Sequence, residues 1–270
     1  TNELIFDLGK KAGLLDLYSK RFKKILNIPS NKWNLTKPDW IKNHLSDIKD
    51  SKIKKTLHEI LDDFKNISNA LLNLESHWTH NDLNDQNILV KHNIGNLPEI
   101  SGILDFGDLA FCPRICNIAI CSAYLLILPD VGIEKQLHFL KGYHLKNPIS
   151  ENELDILYTL ILVRIAVSYV NSIVMSKNKP DDPYVVISQN DTKNFLLSMR
   201  ENKDFITARF RNACGFSPLR SSKDVEIFLN SKINNFFPAI KGNLKTAKVI
   251  NLDLQNCPIP EDPFNIKDEE

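Results

Sequence analysis

The segment that decides the fold reads HNDLNDQNILV and covers residues 80–90. A second segment, ILDFGD, covers residues 103–108, so that Asp105 follows Asn87 by 18 residues. Each segment joins polar residues to a short apolar run, and the stretch between the two runs holds Asn, Gly and Pro residues that favour turns. The pattern predicts a small β-hairpin with polar loops at its ends.

The two polar loops supply three oxygen-bearing side chains that a hairpin can bring together. Asp82 and Asp105 are carboxylates, and Asn87 is an amide. Mg²⁺ prefers oxygen ligands and is usually held by few protein groups together with substrate phosphates. Asn87 and Asp105 are therefore candidate metal ligands, and Asp82 is a candidate base for the proton of an attacking hydroxyl. This is the set of groups that phosphoryl transfer requires.

The same two segments resemble a known fold. H-x-D-x-x-x-x-N from position 80, followed by D-F-G from position 105, is similar to the catalytic and metal loops of the protein-kinase-like fold. The Arg of protein kinases is absent from position 81. HNDLNDQNIL and SGILDFGD instead resemble the aminoglycoside phosphotransferase and choline kinase superfamily, and within it the hydroxylysine kinase-like proteins. The resemblance covers about residues 1–215.

The resemblance implies a role for each matching position. Asp82 is the catalytic base, and His80 braces the loop through hydrogen bonds without touching the substrate. Asn87 and Asp105 bind Mg²⁺ and, through it, the phosphoryl donor, which is ATP or GTP. The implied substrate is a small molecule with a hydroxyl group.

Three further polar residues lie in or near the two loops. Asp85 and Asp108 are weaker candidates for binding a substrate amine, and an ordinary loop carboxylate is an equal alternative for each. Asn117 stands where many relatives carry an acidic residue that anchors the catalytic loop, so we expect an altered anchor here.

Hydrophobic periodicity predicts helices on both sides of the hairpin. The apolar stripe from Ser51 to Leu74 is the clearest of them. The other predicted helices cover residues 2–26, 38–48 with Thr36 as its cap, 115–128, 133–144, 151–175, 185–199 and 202–213, the last ended by Gly215. The expected fold class is α+β, mainly α: the helical C-terminal lobe of a protein-kinase-like fold, with a β-hairpin that carries both loops.

The kinase fold also needs a nucleotide-binding lobe with a β-sheet, a glycine-rich loop and a lysine on its third strand. No G-x-G-x-x-G precedes position 80, and the segment there is predicted to be helical. We therefore expect residues 1–215 to be a C-lobe that is inactive as an isolated chain. Residues 216–270, with one predicted helix over 223–236, are expected to be a linker, a tail or the start of a further module of a larger fusion protein.

Composition argues against several other classes of protein. The net charge of +1 gives no basic surface for nucleic acid, and the five cysteines form no C-x-x-C pair, so buried reduced thiols are expected. The apolar stretch from Leu154 to Met175 contains Arg164, which favours a core helix over a membrane span. A cytoplasmic location is the resulting expectation, and the resemblance to kinase domains of bacterial fusion proteins implies a bacterial source. The three tryptophans are interpreted as core residues, with a cage for a cationic substrate as the alternative: Trp33, Trp40 and Trp78.

Three functions remain open on the sequence alone. The first is a kinase for an amino alcohol or hydroxy amino acid, with hydroxylysine, ethanolamine, choline and homoserine as candidates. The second is aminoglycoside phosphorylation, which favours a more acidic pocket than a nearly neutral chain indicates. The third is a kinase-like domain that binds or scaffolds without catalysis, and the intact Asp82, Asn87 and Asp105 argue against it.

Overall fold

The computed structural model describes residues 1–22, 27–28, 31–92, 97–128, 132–178, 183–199 and 203–220. In chain order its elements are α1 (Asn2–Ser19), a 3₁₀ helix (Pro38–Asp47), α2 (Ser51–Leu72), β1 (Ser76–Thr79), a 3₁₀ turn (Asp85–Asn87), β2 (Ile88–Lys91), β3 (Glu99–Ile103), β4 (Ala110–Pro113), α3 (Arg114–Ile127), α4 (Gly132–Lys146), α5 (Glu151–Asn178), α6 (Pro183–Met199) and α7 (Lys203–Ala213). The mainly helical α+β class is confirmed.

The described strands form two antiparallel ribbons of two strands each. β2 pairs with β3, from Ile88 opposite Ile103 to Lys91 opposite Glu99, with a register shift after Leu89. β1 pairs with β4 over four positions. The chain therefore runs from β1 through residues 80–87 into β2, and from β3 through residues 104–109 into β4. Both polar loops cross from one ribbon to the other, which brings them side by side.

The hairpin formed by β2 and β3 is the predicted one, whereas β4 is not in the sequence prediction. Its four residues are too few to show a period of two, and Pro113 at its end is typical of a break. The strand exists because β1, which lies earlier in the chain, supplies a partner: Thr79 pairs with Ala110 and Ser76 with Pro113.

Helix α5 lies at the centre of the fold and contacts α2, α3, α6, α7 and the 3₁₀ helix. It is apolar on all sides, as a helix surrounded by others has to be. By length and composition Glu151–Lys177 could span a membrane, but 89% of its most apolar window is buried inside the protein. The expectation of a core helix agrees with this burial.

Helices α1 and α4 approach so closely that their backbones touch. A Cβ atom on Gly9 would lie 2.1 Å from the Phe139 carbonyl oxygen, and one on Gly142 would lie 2.1 Å from the Phe6 carbonyl oxygen. Only glycine fits at these two positions. Gly9 weakens the helical pattern of α1, but it allows α1 to pack closely against α4. This packing places Asp16 of α1 in the interior of the protein.

Several predicted boundaries need correction. Helix α1 ends at Ser19, and the predicted continuation over residues 23–26 lies outside the described residues. The segment Pro38–Asp47 is a 3₁₀ helix without a side-chain cap, and Thr36 donates to Asn34 Oδ1 instead. The end of α7 is as predicted: Gly215 has a φ of +80°, and the Phe216 amide donates to the Arg211 carbonyl at 3.0 Å.

Two predictions concern the cysteines and the C-terminal tail. The four cysteines in the described ranges are free and buried, and Cys112 lies on β4 rather than on a helix shared with Cys116. By its contacts the chain divides into Thr1–Arg220 and Ser221–Glu270. The predicted helix over 223–236 lies outside the described residues, and the domain assignment of residues 216–270 stays a prediction.

Candidate active site

His80 joins the two polar loops. Its Nδ1 accepts a hydrogen bond from the Asp82 amide at 3.3 Å, which leaves the ring proton on Nε2, 2.7 Å from the Leu104 carbonyl oxygen. The ring also packs edge-on against Phe106, with 4.8 Å between centroids. His80 is 1% exposed. The side chain is thus placed to brace the loops from inside, as the resemblance implies.

The carboxylate of Asp82 is held by three neutral donors. Tyr124 donates its hydroxyl to Oδ1 at 3.1 Å, while the side-chain amides of Asn84 and Asn87 each donate to Oδ2 at 3.1 Å. Asn84 also caps the turn that follows, because its Oδ1 accepts from the amide of Asn87 at 3.1 Å. These contacts fix the orientation of Asp82 without a cation touching it in the described part of the chain.

The residue before Asp82 is anchored by a relay from α1. Asn81 adopts a φ of 65°, and its amide donates to Asn117 Oδ1 at 3.1 Å. Asn117 Nδ2 donates in turn to Asp16 Oδ1 at 2.9 Å, and Tyr143 donates to Asp16 Oδ2 at 2.7 Å. The altered anchor expected at position 117 is therefore a relay. Its acid is Asp16 of α1, and the side chain of Asn117 connects that acid to the catalytic loop.

Asp16 is a buried acid without a direct cationic partner. It is 1% exposed, and burial raises its pKa from 3.8 to about 7. The hydrogen bonds from Tyr143 and Asn117 and the more distant charge of Arg114 lower the pKa, but they offset only part of the effect of burial. A carboxyl group in this environment takes up a proton near neutral pH.

The metal loop lies next to Asn87. The Leu104 amide donates to the Asn87 carbonyl at 2.9 Å, which places Asp105 beside the end of the catalytic loop. Asp105 has a φ of 57°, and its Oδ1 accepts from the Gly107 amide at 3.0 Å. The left-handed backbone and this local turn direct the exposed carboxylate of Asp105 away from the hairpin.

Asp108 lies close to the other two acids of the site. Asn31 Nδ2 donates to its Oδ1 at 3.1 Å. Its pKa is raised, first by burial and then by the negative charges of Asp82 and Asp105. The structure therefore brings Asp108 to the same cluster, with the charge of Arg164 near enough to oppose part of the rise in its pKa.

Asp85 lies apart from this cluster. It is exposed at the start of the 3₁₀ turn, and it lines a cavity of about 260 Å³ between α1, the hairpin and α3. The other walls of that cavity are mainly apolar. Of the two carboxylates proposed for a substrate amine, the structure places Asp108 with the catalytic groups and Asp85 at an edge.

A buried arginine, Arg164, contacts Tyr124. Arg164 Nη2 donates to the Tyr124 hydroxyl at 2.6 Å, and Nη1 donates to Ser168 Oγ at 2.6 Å. The guanidinium lies 4.7 Å from the ring centroid of Trp33 and 5.0 Å from that of Tyr124. A chain of two hydrogen bonds therefore connects this cation to Asp82.

Comparison with known families gives the same assignment as the motifs. The model of the "Phosphotransferase enzyme family" matches residues 6–144, which include the catalytic loop, the metal loop and the Asn117 relay. The chain belongs to this phosphotransferase family. The resemblance to the aminoglycoside phosphotransferase and choline kinase superfamily is thereby confirmed.

Relatives of this phosphotransferase include hydroxylysine kinases. That of Xenopus laevis is 28% identical over 181 residues, which are 63% of this chain and 48% of the relative. That of Mus musculus is 26% identical over 179 residues, with the same two coverages. The chain thus spans about half the length of the curated relatives it matches.

Solved structures show the same fold. A microcompartment-associated aminopropanol kinase aligns with a TM-score of 0.58 at 15% identity, covering 75% of this chain and 64% of that one. An ethanolamine kinase of Plasmodium vivax aligns with a TM-score of 0.50 at 16% identity, covering 75% and 61%. These alignments confirm the kinase-like fold of the phosphotransferase.

The groups present in the two loops suit a Mg²⁺ ion. The amide nitrogen of Asn87 is engaged by Asp82, so its oxygen is the atom left for a metal, and Asp105 keeps one carboxylate oxygen beyond the bond from Gly107. Both are hard oxygen donors. Within the described ranges no three His, Cys, Asp or Glu side chains form a metal-binding group. Two protein ligands fit an ion held largely by nucleotide phosphates.

Sequence reasoning missed four residues that support this site: Asp16, Tyr124, Tyr143 and Arg164. Each lies on a helix far in sequence from the loops, and the Asp16–Asn117 contact joins residues 101 positions apart. The available signal in the sequence was a charged residue among apolar neighbours in a predicted helix, as at Asp16 and Arg164. The structure buries both, with 1% and 2% of their surface exposed.

Proposed function

We propose that this chain is the catalytic lobe of a small-molecule kinase that phosphorylates a hydroxyl group of a small metabolite. The acceptor is an amino alcohol or hydroxy amino acid, and hydroxylysine is the first candidate. One observation carries the proposal: Asp82 is oriented by Tyr124, Asn84 and Asn87 directly beside the loop that bears Asp105. The name of the hydroxylysine kinase relatives supports the candidate acceptor.

The residues of the site divide the reaction between them. Asp82 accepts the hydrogen bond of the acceptor hydroxyl and takes its proton as the oxygen attacks the γ-phosphorus of the donor. His80, Asn84 and Tyr124 keep that carboxylate in place. Asn87 and Asp105 would hold Mg²⁺, which neutralises charge on the donor phosphates when it is bound. The nucleoside diphosphate leaves, and the phosphorylated acceptor is released.

The proposed reaction also requires a lobe that covers the nucleotide. The described strands form two ribbons that carry the polar loops, and the 79 residues before His80 contain no glycine-rich phosphate motif. We therefore propose that the 270 residues alone transfer phosphate very slowly. The nucleotide-covering lobe would determine whether ATP or GTP is the donor, and a cytoplasmic location is also part of the proposal.

The test uses the full-length protein with labelled ATP or GTP, Mg²⁺, and 5-hydroxylysine, ethanolamine, choline or an aminoglycoside as acceptor. We expect transfer to hydroxylysine and a loss of at least about 10³-fold in kcat for Asp82→Asn, which keeps shape but not basicity. Asp62→Asn, an exposed acid of α2, is the matched control. Absence of transfer to every acceptor, together with absence of nucleotide binding, would favour a non-catalytic domain.

A further inference from the structure

The strongest unexplained feature of the molecule is the charge of Arg164. Its side chain is 2% exposed at the centre of the fold, and its Nε has no hydrogen-bond partner. The partners of its other nitrogens are the hydroxyl groups of Ser168 and Tyr124, and no carboxylate contacts it in the part of the chain described above. A guanidinium keeps its charge in proteins, so a buried one needs a negative partner.

The position of this cation connects it to the acceptor. Its Nη2 lies 2.6 Å from the Tyr124 hydroxyl, and that hydroxyl lies 3.1 Å from Asp82 Oδ1. Only the Tyr124 hydroxyl therefore separates Arg164 from the carboxylate that binds the acceptor hydroxyl. Since no carboxylate of the described residues contacts Arg164, the acceptor is the better source of the negative partner.

A second cation also contacts the Trp33 ring. Lys32 is exposed, its Nζ is 4.8 Å from the Trp33 ring centroid, and it donates to Asn171 Oδ1 at 2.6 Å. Asn171 and Arg164 are seven positions apart on α5 and so share one face of that helix. Lys32 likewise contacts no carboxylate in the described ranges.

The acids of the site lie near the same groups, and Asp108 is close enough to Arg164 for that positive charge to lower its pKa. Asn31, next to Lys32 in sequence, holds Asp108 beside Asp82 and Asp105. The groups around Asp82 thus include carboxylates for an ammonium group and two cations for a carboxylate. This is the complement of a zwitterion.

We infer that the acceptor is a hydroxy amino acid whose carboxylate binds Arg164, with Lys32 at the entrance. The inference rests on the proposed kinase function and narrows it, because amino alcohols lack the carboxylate. The rings of Trp33 and Tyr124 cover the faces of the guanidinium, so a carboxylate has to reach its edge, where Nε is free. Trp33 is half buried in a loop, and the inference requires its ring to shift so that the ligand can enter.

The experiment compares acceptors that differ only in the carboxylate, using the full-length protein. The two pairs are 5-hydroxylysine with 1,5-diaminopentan-2-ol, and homoserine with 3-aminopropan-1-ol. For the pair that is used, we expect wild-type kcat/KM to favour the amino acid by about 10- to 100-fold, the range for a charged hydrogen-bonded contact. Arg164→Met is expected to remove this preference, because kcat/KM for the amino acid falls further than kcat/KM for its partner without the carboxylate.

Two further variants protect the test from a folding defect. Lys32→Met removes an exposed cation and is expected to reduce the preference about 3-fold, while Arg164→Lys keeps the charge but loses the planar fork and is expected to fall between wild type and Arg164→Met. Lys55→Met, an exposed lysine of α2 whose side chain is 78% accessible, controls for loss of a positive charge.

The outcomes separate this inference from the kinase proposal. Equal use of both members of each pair by the wild type, or an equal loss for both in Arg164→Met, overturns the carboxylate site and leaves the kinase intact. The melting temperature gives a second readout without turnover. It is expected to rise with the amino acid but not with its decarboxylated partner, and only when Arg164 is present. If Arg164→Met instead abolishes the rise caused by Mg-ATP, the cation binds phosphate and the inference is wrong.

Discussion

Two arginines of this protein are equally buried and differently partnered. Arg211 and Arg164 are each 2% exposed. Arg211 is fully engaged: Nη1 lies 2.7 Å from Asp155, Nη2 lies 2.5 Å from Glu151, and Nε donates to the Ser217 carbonyl at 2.9 Å. Arg164 has two hydroxyl partners and two aromatic rings, and its Nε is free.

The difference separates a structural charge from a functional one. A buried cation surrounded by carboxylates and a carbonyl is satisfied within the fold and ties α7 to the start of α5. A buried cation that lacks a counter-charge costs stability unless a ligand supplies the anion. Asp16 is the acidic counterpart of Arg164, but a carboxyl group has another solution, since it can take up a proton.

The largest effect expected from this comparison is on folding. Arg211→Met leaves Glu151 and Asp155 without their shared cation and should lower the free energy of unfolding by about 3 kcal/mol. Urea denaturation followed by circular dichroism measures it. The partial exposure of both carboxylates and the contact of Asp155 with Arg220 limit the loss. A loss below about 1 kcal/mol would contradict the view that Arg211 is a structural charge.

The next effect is a pH dependence that comes from Asp16. Its pKa is about 7 in the folded state and 3.8 in the unfolded state, so the folded state binds more protons between these values. The stability contributed by the neutral acid is therefore complete below pH 4 and is lost as the pH rises to about 7. The change is on the order of 2 kcal/mol after relaxation of the site, since each pKa unit is worth about 1.4 kcal/mol at most.

The measurement is a difference between two proteins. Unfolding free energies of wild type and Asp16→Asn are compared at several pH values between 4 and 8, which cancels the other carboxylates. The free energy of unfolding of Asp16→Asn should increase relative to that of the wild type as the pH rises. The groups that face Asp16 are Asn117 and Tyr143 as hydrogen-bond donors, with the charge of Arg114 and the thiol of Cys121 nearby. A difference that stays constant would mean that Asp16 is ionised throughout.

The sequence predicted the part of the site that is local along the chain. The catalytic loop, the hairpin and the metal loop lie within residues 80–108, where polar residues beside strands at fixed spacing specify both backbone and chemistry. Asp82, Asn87 and Asp105 lie together as expected. The supporting contacts were not predictable in this way, because they join residues that are far apart in sequence, such as Asn31 with Asp108 at 77 positions.

The helices show the same limit. Most of their bounds follow from apolar periodicity, but α5 is apolar on every side, so no period indicates which way Arg164 points. In the sequence Arg164 argued only against a membrane span. Trp33 indicated a core position or, as the alternative, part of a cage for a cationic substrate. Their contact requires the loop before the 3₁₀ helix to fold onto α5, which is a tertiary event that local pattern does not encode.

A smaller effect tests the relay that holds Asn81. Asp16→Asn and Asn117→Asp alone each create a mismatch of donors or acceptors and should cost about 1–2 kcal/mol. The double exchange restores one carboxylate and one amide in contact, and should recover at least half of that loss. Hydrogen exchange at the Asn81 amide reports the same order: fast in each single variant, and slow again in the double one. If the Asn81 amide still exchanges fast in the double variant, the relay from Asp16 through Asn117 does not hold Asn81.

The smallest effect expected is also the one that tests the comparison most directly. Arg164→Met removes a buried charge that no carboxylate in the described ranges balances, so the loss of two hydroxyl contacts and two ring contacts is offset by the loss of the desolvation cost. The free energy of unfolding should change by less than about 1 kcal/mol, against about 3 kcal/mol for Arg211→Met measured in the same way. A loss for Arg164→Met as large as that for Arg211→Met would show that the fold itself satisfies this cation, and the reason to assign it a ligand would disappear.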